Sequence, residues 1–580
     1  MKRFCSTLSN EQLNRLPIKA FDGEIVVVDS LYKVDSAVSY LSQFREIGFD
    51  TETRPSFRKG KMNGVALLQL STKEKAFLFR TCRIGLPQKV ADFLADKKIK
   101  KIGVAIRDDI KGLQKHCNFI PGGFVELQDF VKQFGIEAAG LKKLNGIVLG
   151  YRISKAQQLS NWESDSLSQK QKTYGATDAW SGLLIYNELL KHRNKMNYTL
   201  LNSIAKQYDE NFGGEKITVR APGRINIIGE HTDYNEGFVL PAAVPSAIYF
   251  AIGRRDDNQV KLISSDFNQE CEFSLDDTQK PEYQWASYIF GVTKIIKGMG
   301  YKFGGYNCVF GGDIPVGSGM SSSAALECGT AFGISNLYNL NISNLDIAKI
   351  GQRSEHEYVG VKCGIMDQYA SVFGKEGKCI KLDCRSLVHE YANADIKGCV
   401  FILTNTMVKH SLASSEYNKR RSEVEEGVVK VKRLHPEVNS LRDCNLDMLD
   451  EVKSQISETI YRRCRFVIEE NNRVTRACEL LNNAEIEEFG KLIYQSHYGL
   501  SQMYEVSCKE LDYLVSQTES MDYVLGSRMM GGGFGGCTIS LVKADKAEEY
   551  KKTIAKAYKN EFNIDPQFYQ AVAENGVELV

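Results

Sequence analysis

Arg224, Glu230, His231 and Asp233 lie close together in the stretch VRAPGRINIIGEHTDYNEGFVLP, from Val219 to Pro241. Ile225, Ile227 and Ile228 form an apolar run that leads from Arg224 to the polar row Glu230-His231-Thr232-Asp233. Such a row alone is usually a solvated loop. Here an arginine and several hydroxyl-bonding groups flank a segment patterned like a buried strand. Convergent donors and acceptors of this kind suit a ligand made of hydroxyls and a ring oxygen. Further on, GGDIPVGSGMSSSAAL, from Gly311 to Leu326, is a glycine- and serine-rich loop running into an alanine-rich helix. Backbone N–H groups at a helix start, with the helix dipole behind them, favour an anion such as a phosphate. Gly317 and Gly319 let the backbone approach it closely. The loop lacks the Gly-Lys-Thr or Gly-Lys-Ser of a P-loop, so it belongs to another class. Glu355 in QRSEHEYVG and Asp367 in CGIMDQYAS add two acids to the same part of the chain.

A second set of acids lies in the first third. Asp50 and Glu52 are separated by one residue at a strand end, so both leave the same face. Asp109 opens a helix after the strand-like GVAI, and Tyr174 and Asp178, four apart on a helix, share one face. A single acid is mostly solvated, but clustered carboxylates repel one another unless cations neutralise them. Hard divalent ions with oxygen ligands do so, and they can flank an attacking water and a leaving oxygen.

The elements that must hold these groups follow from the pattern. Strands at residues 24–28, 47–51, 65–70, 76–79 and 102–106 come first. Helices at 86–94 and 109–116, and two helical pieces within 167–192, come after, which predicts a mixed sheet covered by helices. Ala221-Pro222-Gly223 predicts a chain reversal before Arg224. The segment HRNKMNY has no glycine-, serine- or proline-rich linker, and 197–211 reads as an amphipathic helix. Strands at 247–254 and 260–264, a helix from Gln284 to about 299 and helices over about 418–515 follow. A strand–turn–strand around Gly531–Gly536 comes last. Domains are expected at 1–195, 196–400 and 401–580.

The chain has 580 residues, 43% of them hydrophobic, and a net charge of +2, which predicts neither a nucleic-acid coat nor an acidic tail and leaves room for a small basic groove. Its fifteen cysteines show no CxxC pair or zinc spacing and read as reduced core residues. MKRFCSTLSNEQ carries no signal-peptide pattern and no apolar run is long enough to cross a bilayer. The expectation is a cytoplasmic protein without a membrane partner.

GRINIIGEHTDY resembles the galactokinase signature of the GHMP small-molecule kinases. PVGSGMSSSAAL resembles their second motif, PxGxGLSSSAA, departing mainly at Met320. RMMGGGFGGC resembles their third, usually RMTGAGFGGC, with Met530 in place of the common Thr. The resemblance covers residues 196–580 and implies two α+β lobes that phosphorylate galactose at O1 with ATP and Mg²⁺. Carried over, Asp367 is the base at O1 and Arg224 stabilises the developing phosphoryl charge. Glu230, His231, Thr232, Asp233, Gly364 and Tyr417 hold the sugar. Gly317, Ser318, Gly319, Met320, Ser321, Ser322 and Ser323 hold the phosphates of ATP. Trp285 and Tyr288 line the adenine pocket, with Ser264 on the nucleotide side, and Ser323 with Glu355 binds Mg²⁺. Two rivals stay open: a kinase for N-acetylgalactosamine or arabinose, and a sugar sensor without catalysis.

In the first third FDTET, GVAIRDD and YGATDAW resemble the three motifs of the DEDD-type 3'-5' exonucleases, in the branch with a tyrosine. LSNWESDSLSQKQKTYGATDAWSGLLIYNEL resembles the Werner-type and RNase D enzymes over its whole length. The resemblance implies an RNase H-like sheet and two Mg²⁺ or Mn²⁺ ions held by Asp50, Glu52, Asp109 and Asp178. Tyr174 would orient the attacking water at a DNA or RNA 3' end. Asp109 is preferred to Asp108 by its spacing after GVAI. The rival is a nucleic-acid-binding module that has lost catalysis.

Overall fold

The computed structural model describes residues 4–55, 63–193, 196–315, 317–394, 396, 398–409 and 413–580. The chain divides into two compact units, Met1–Thr199 and Leu200–Val580. Asn194 and Lys195, where the sequence placed the join, lie outside the described residues. The division falls within the helix Tyr198–Asn211. Tyr198 is buried with its ring 5.9 Å from Phe134 of the first unit. Ile204 and Tyr208, further along the same helix, are buried against Gly311 and Gly253 of the second.

In the first unit β1 (Glu24–Val28), β2 (Glu46–Thr53), β3 (Val65–Ser71), β4 (Lys75–Phe79), β5 (Lys100–Gly103) and β6 (Phe124–Glu126) form one sheet. Its order is β1-β4-β3-β2-β5-β6. β2, β3 and β4 make an antiparallel meander, and β5 and β6 continue parallel to β2. Every residue of β3 is buried, as in a strand covered on both faces. β5 ends at Gly103, short of the expected 106, because Ala105 adopts φ 60° and swings the chain into the helix Ile106–Gln114. The two expected helical pieces are one helix, Gln169–Arg193. It is buried on most sides, so no polar stripe marks its continuity. The Ala179 carbonyl stands where a Cβ on Gly48 would be, so only glycine lets this helix lie directly on β2.

The second unit opens with β7 (Ile217–Asn226), β8 (Phe238–Val239), β9 (Pro241–Arg254), β10 (Gln259–Ser264), β11 (Gln269–Ser274) and β12 (Tyr306–Gly312). Then come β13 (Lys378–Asp383), β14 (His389–Asn393) and β15 (Cys399–Lys409). β16 (Val524–Met530), β17 (Gly535–Lys543), β18 (Gln567–Ala571) and β19 (Glu578–Leu579) close the chain. They pair as β11-β10-β12-β9-β7-β19, β14-β13-β8 and β16-β17-β15-β18. One apolar cluster reaches from Val219 to Ala573, so both expected lobes share a core.

The reversal expected at Ala221-Pro222-Gly223 is absent. β7 runs through it with a bulge between Pro222 and Arg224, a place where a strand tolerates a residue without an N–H. The Pro222 carbonyl accepts from the Ser371 hydroxyl at 2.7 Å, and Gly223 packs against the Met320 carbonyl. All fifteen cysteines are unbridged. Among the described residues no helix is long and apolar enough to cross a membrane.

Candidate active sites

The bulge in β7 re-aims Arg224 at Asp367, which stands in the first turn of the helix Met366–Phe373. Arg224 Nε donates to Asp367 Oδ1 at 2.7 Å and Nη2 to Oδ2 at 2.8 Å, a bidentate pair. The Ser321 hydroxyl also donates to Asp367, and Arg224 Nη1 donates to the Gly319 carbonyl. The Arg224 side chain is 5% exposed and that of Asp367 25%, so the carboxylate keeps an edge open to a ligand. Burial opposes the Arg224 charge, but Asp367, Glu230 and Asp233 outweigh it and raise its pKa.

On one side of this pair lie Glu230 and Asp233. Glu230 is buried, and its Oε1 accepts from the Gly531 N–H at 2.8 Å and Arg528 Nη2 at 3.1 Å. The Asp233 carboxylate lies against Gly364, where any Cβ would collide with it. Desolvation, then repulsion from Asp367, pushes the Asp233 pKa up to about 7. His231 has φ 63°, and its Nδ1 is 2.8 Å from the Tyr234 hydroxyl, itself 2.8 Å from that of Tyr504. Its ring lies 5.4 Å from Tyr417 and 4.9 Å from Tyr504. Burial lowers its pKa to about 3, so the imidazole is neutral and serves as a prop for Tyr417. Thr232 does not join the site. It is fully buried, with its hydroxyl 2.9 Å from the Gly229 carbonyl and 2.6 Å from that of Phe238, so it closes the loop.

On the other side Gly317 and Gly319 adopt φ 77° and 73°, and Ser321 precedes the helix Ser322–Tyr338 at φ 55°. Ser322 and Ser323 line a cavity of about 590 Å³ together with Tyr283, Trp285, Tyr288 and Phe310. Trp285 stacks on Tyr283 with ring centres 5.8 Å apart and planes 9° from parallel, and its Nε1 donates to Gln269 Oε1 at 2.7 Å. An aromatic slot that ends at a helix N-terminus suits a base at one end and phosphates at the other. Glu355 opens the π-helical turn Glu355–Val359 and is buried. Its pKa is raised chiefly by burial, although Cys363, Ser323 and Gln368 bond its charged form. A buried carboxylate with a serine hydroxyl beside a phosphate loop fits a hard divalent cation.

Three loop-side residues behave differently from the expectation. The Met320 side chain belongs to the apolar core, and only its carbonyl serves the site, accepting from the Arg224 N–H at 3.0 Å. The buried Ser318 hydroxyl accepts from the Met320 N–H at 3.4 Å and so shapes the loop. Ser264 is fully buried inside β10, and its register partners Gln269 and Phe310 reach the cavity instead.

In the first unit Asp50 and Glu52 on β2 and Asp178 on the long helix bring carboxylate oxygens within 4.8 Å of one another. Asp109 stands outside that tightest group and accepts from Thr51 Oγ1 at 2.5 Å. Its charge still repels Asp50 and Glu52. Asp108 faces solvent, 88% exposed, and pairs with Lys111. Desolvation, then Asp178, Asp109 and Glu52, holds the Asp50 pKa well above the usual carboxylate range. Desolvation likewise pushes Glu52 to about 8 and Asp109 to about 6, and raises Asp178. The Tyr174 hydroxyl bonds the charged forms of Glu52 and Asp178. Asp178 Oδ1 is buried without a hydrogen-bond partner. A crowded oxygen set with raised pKa values and an orphaned oxygen fits hard divalent ions.

Comparison with known proteins separates the two units. A 3'-5' exonuclease family model matches residues 25–193. The galactokinase galactose-binding signature matches 206–254, the GHMP kinase N-terminal domain 287–375 and the GHMP kinase C-terminal model 477–560. The galactokinase of Clostridium acetobutylicum is 40% identical over 365 residues, which are 62% of this chain and 94% of that protein. The chain belongs to the galactokinase family. The Thermotoga maritima galactokinase is 39% identical over 364 residues, 63% of this chain and 100% of its own. The crystal structure of Lactococcus lactis galactokinase complexed with galactose superposes with a TM-score of 0.64 at 35% identity, covering 66% of this chain and 100% of that one. An exonuclease-type domain precedes the galactokinase portion.

Several residues that shape the kinase site are given no individual role by the sequence motifs. Arg528 is fully buried and donates to the carbonyls of Asn226 at 2.5 Å and Ile227 at 2.8 Å as well as to Glu230. A Cβ on Gly531 would lie 3.5 Å from Gly319, and one on Gly536 3.5 Å from the Gly317 carbonyl, so the third motif backs the phosphate loop. Tyr283 and Gln269, which frame Trp285, sit in segments with no local signal except the spacing Tyr-Gln-Trp.

Proposed function

We propose that the galactokinase portion transfers the γ-phosphoryl group of ATP to O1 of galactose, and that the first unit removes 3'-terminal nucleotides from DNA or RNA. The observation that carries the kinase reading is the Arg224–Asp367 pair, set between a carboxylate-lined sugar side and a glycine-serine phosphate loop. O1 bonds to the γ-phosphorus, the bond to the β-phosphate oxygen breaks, and ADP leaves. The O1 proton passes to Asp367, whose open edge faces the ligand, and from there to solvent. Arg224 fixes Asp367 in place and adds positive charge near the transferred group. Glu230, Asp233, the Gly364 backbone and Tyr417 take the sugar hydroxyls. Ser323 and Glu355 would hold a divalent ion such as Mg²⁺, which would supply charge neutralisation on the phosphates. In this reading residues 196–400 and 401–580 are the two lobes, and unbridged cysteines support a cytoplasmic setting.

ADP release from ATP is measured with galactose, N-acetylgalactosamine and arabinose in turn. Galactose should give the highest kcat/KM, and absence of sugar-dependent release would turn the reading into a sensor. For the first unit, 3'-labelled DNA and RNA are incubated with Mg²⁺ or Mn²⁺. Asp50→Ala should abolish shortening and leave galactose phosphorylation intact. If the wild-type protein leaves both strands whole, the unit is a binding module.

A further inference from the structure

Lys155 lies in the SKAQQLSNW segment that precedes the helix Gln169–Arg193. Its Nζ donates to Asp178 Oδ2 at 2.7 Å, lies 3.4 Å from the Tyr174 hydroxyl and sits 5.3 Å from the centre of the Tyr174 ring. Its side chain is 29% exposed while that of Asp178 is 2% exposed, so the ammonium enters the cluster from the open side. Its charge acts on Asp50, Glu52 and Asp178 alike, opposing the repulsion among them. An ammonium therefore sits on a carboxylate oxygen that divalent ions would need, while the other oxygen of the same group has no partner.

Resting on the exonuclease reading, we propose that Lys155 is an exchangeable cation of the nuclease centre. Without metal it holds Asp178. When divalent ions take that carboxylate, Lys155 moves onto a non-bridging oxygen of the scissile phosphate. A compact ammonium on a flexible four-carbon stem suits such a move, and it adds positive charge where negative charge develops. In the step itself a water oxygen bonds to phosphorus and the bond from phosphorus to the 3' oxygen of the preceding nucleotide breaks. The water gives up a proton to solvent and the departing 3' oxygen takes one. The products are a nucleoside 5'-monophosphate and a strand one residue shorter with a free 3' hydroxyl. Lys155 takes no part in these proton transfers.

The test uses the full chain with Lys155→Gln and Lys155→Arg, and galactose phosphorylation as the control for folding of the second unit. Calorimetry with Mn²⁺ alone should show roughly tenfold tighter binding by Lys155→Gln, since the ions no longer compete with a charge-assisted bond to Asp178. Metal-free Lys155→Gln should melt earlier in its first unit, and Mn²⁺ should close the gap. At saturating Mn²⁺ single-turnover shortening of a 3'-labelled strand should fall on the order of 100-fold, with partial recovery in Lys155→Arg. Unchanged or weaker Mn²⁺ binding by Lys155→Gln would overturn the exchange. Undiminished cleavage at saturating Mn²⁺ would overturn the phosphate contact. If the wild type binds Mn²⁺ but cleaves neither DNA nor RNA, the exonuclease reading fails together with the phosphate contact, and calorimetry still decides the exchange.

Discussion

Replacing Asp367 by Asn preserves shape and removes charge. Arg224 now donates through Nε and Nη2 to two carboxylate oxygens. Asparagine offers one oxygen and turns an amide N–H toward the second donor. The guanidinium is left almost enclosed, with 5% of its side chain exposed. Removing one partner of a buried ion pair costs about 3–5 kcal/mol. Glu230 and Asp233 still act on Arg224, and Asp367 is itself 25% exposed, so the low end, about 3 kcal/mol, is expected. Loss of the base lowers turnover by at least ~10²-fold. The assays are galactose-dependent ADP release for kcat and urea unfolding for stability. A double variant, Arg224→Met with Asp367→Leu, separates the two effects. It should regain most of the lost stability, because apolar replacement of a whole buried pair is close to neutral, while turnover stays lost. Single-variant turnover within tenfold of wild type would refute the assignment of Asp367. A double variant no more stable than the single would refute the buried-charge argument.

Gly364→Ala places a methyl group against the Asp233 carboxylate, so KM for galactose should rise at least ~10-fold with KM for ATP unchanged, read by steady-state kinetics. The Asp233 pKa, raised from 3.8 to about 7 mainly by desolvation, sets two opposite pH trends. The folded carboxyl binds its proton more tightly than the unfolded one, so its contribution to stability is complete below 3.8 and is lost as pH rises through about 7. Asp233→Asn should remove that slope from a urea-unfolding series. Galactose affinity should move the other way, rising from about pH 6 to about pH 8 as the ionised acceptor accumulates, and a flat calorimetric profile would count against an Asp233–sugar bond. Trp285→Ala removes the ring stacked on Tyr283, so KM for ATP should rise roughly tenfold while KM for galactose holds.

Residue types and spacing reveal the chemistry of both sites better than their architecture. Arg224, Asp233 and Asp367 converge as their motifs suggest, and Asp109 rather than Asp108 faces the acid cluster. Proline and glycine mark an interruption without saying which kind, so the bulge at Pro222–Arg224 reads as a turn. Thr232 is a hydroxyl in the right neighbourhood, but whether it faces a ligand or a backbone carbonyl depends on loop closure, which local sequence does not encode, and Ser264 is enclosed by its sheet neighbours on both sides. The long helix Gln169–Arg193 loses its periodicity because neighbours cover most of its sides. Pairings such as β15 with β17 and β18 join segments far apart in sequence and leave no local trace.

Two of the departures from the family pattern, at Met320 and Met530, have one explanation. Both side chains are buried, 2% and 1% exposed, in the same apolar cluster, and the Met530 carbonyl would lie 3.3 Å from a Cβ on Gly319. Methionine is unbranched and polarisable and fills irregular gaps that leucine or threonine would leave. A hydroxyl absent at 530 is therefore absent from the core and not from the ligand's surroundings. What the site needs at these positions is backbone: the Met320 carbonyl on the Arg224 N–H, and glycines 531 and 536 close to 317 and 319. Arg528 completes the link by gripping the carbonyls of Asn226 and Ile227, which fixes the end of β7 that leads to Glu230. The third motif thus acts on the first two through main-chain contacts, so its side chain at 530 is free to vary with the core while Arg528, Gly531 and Gly536 are held in place.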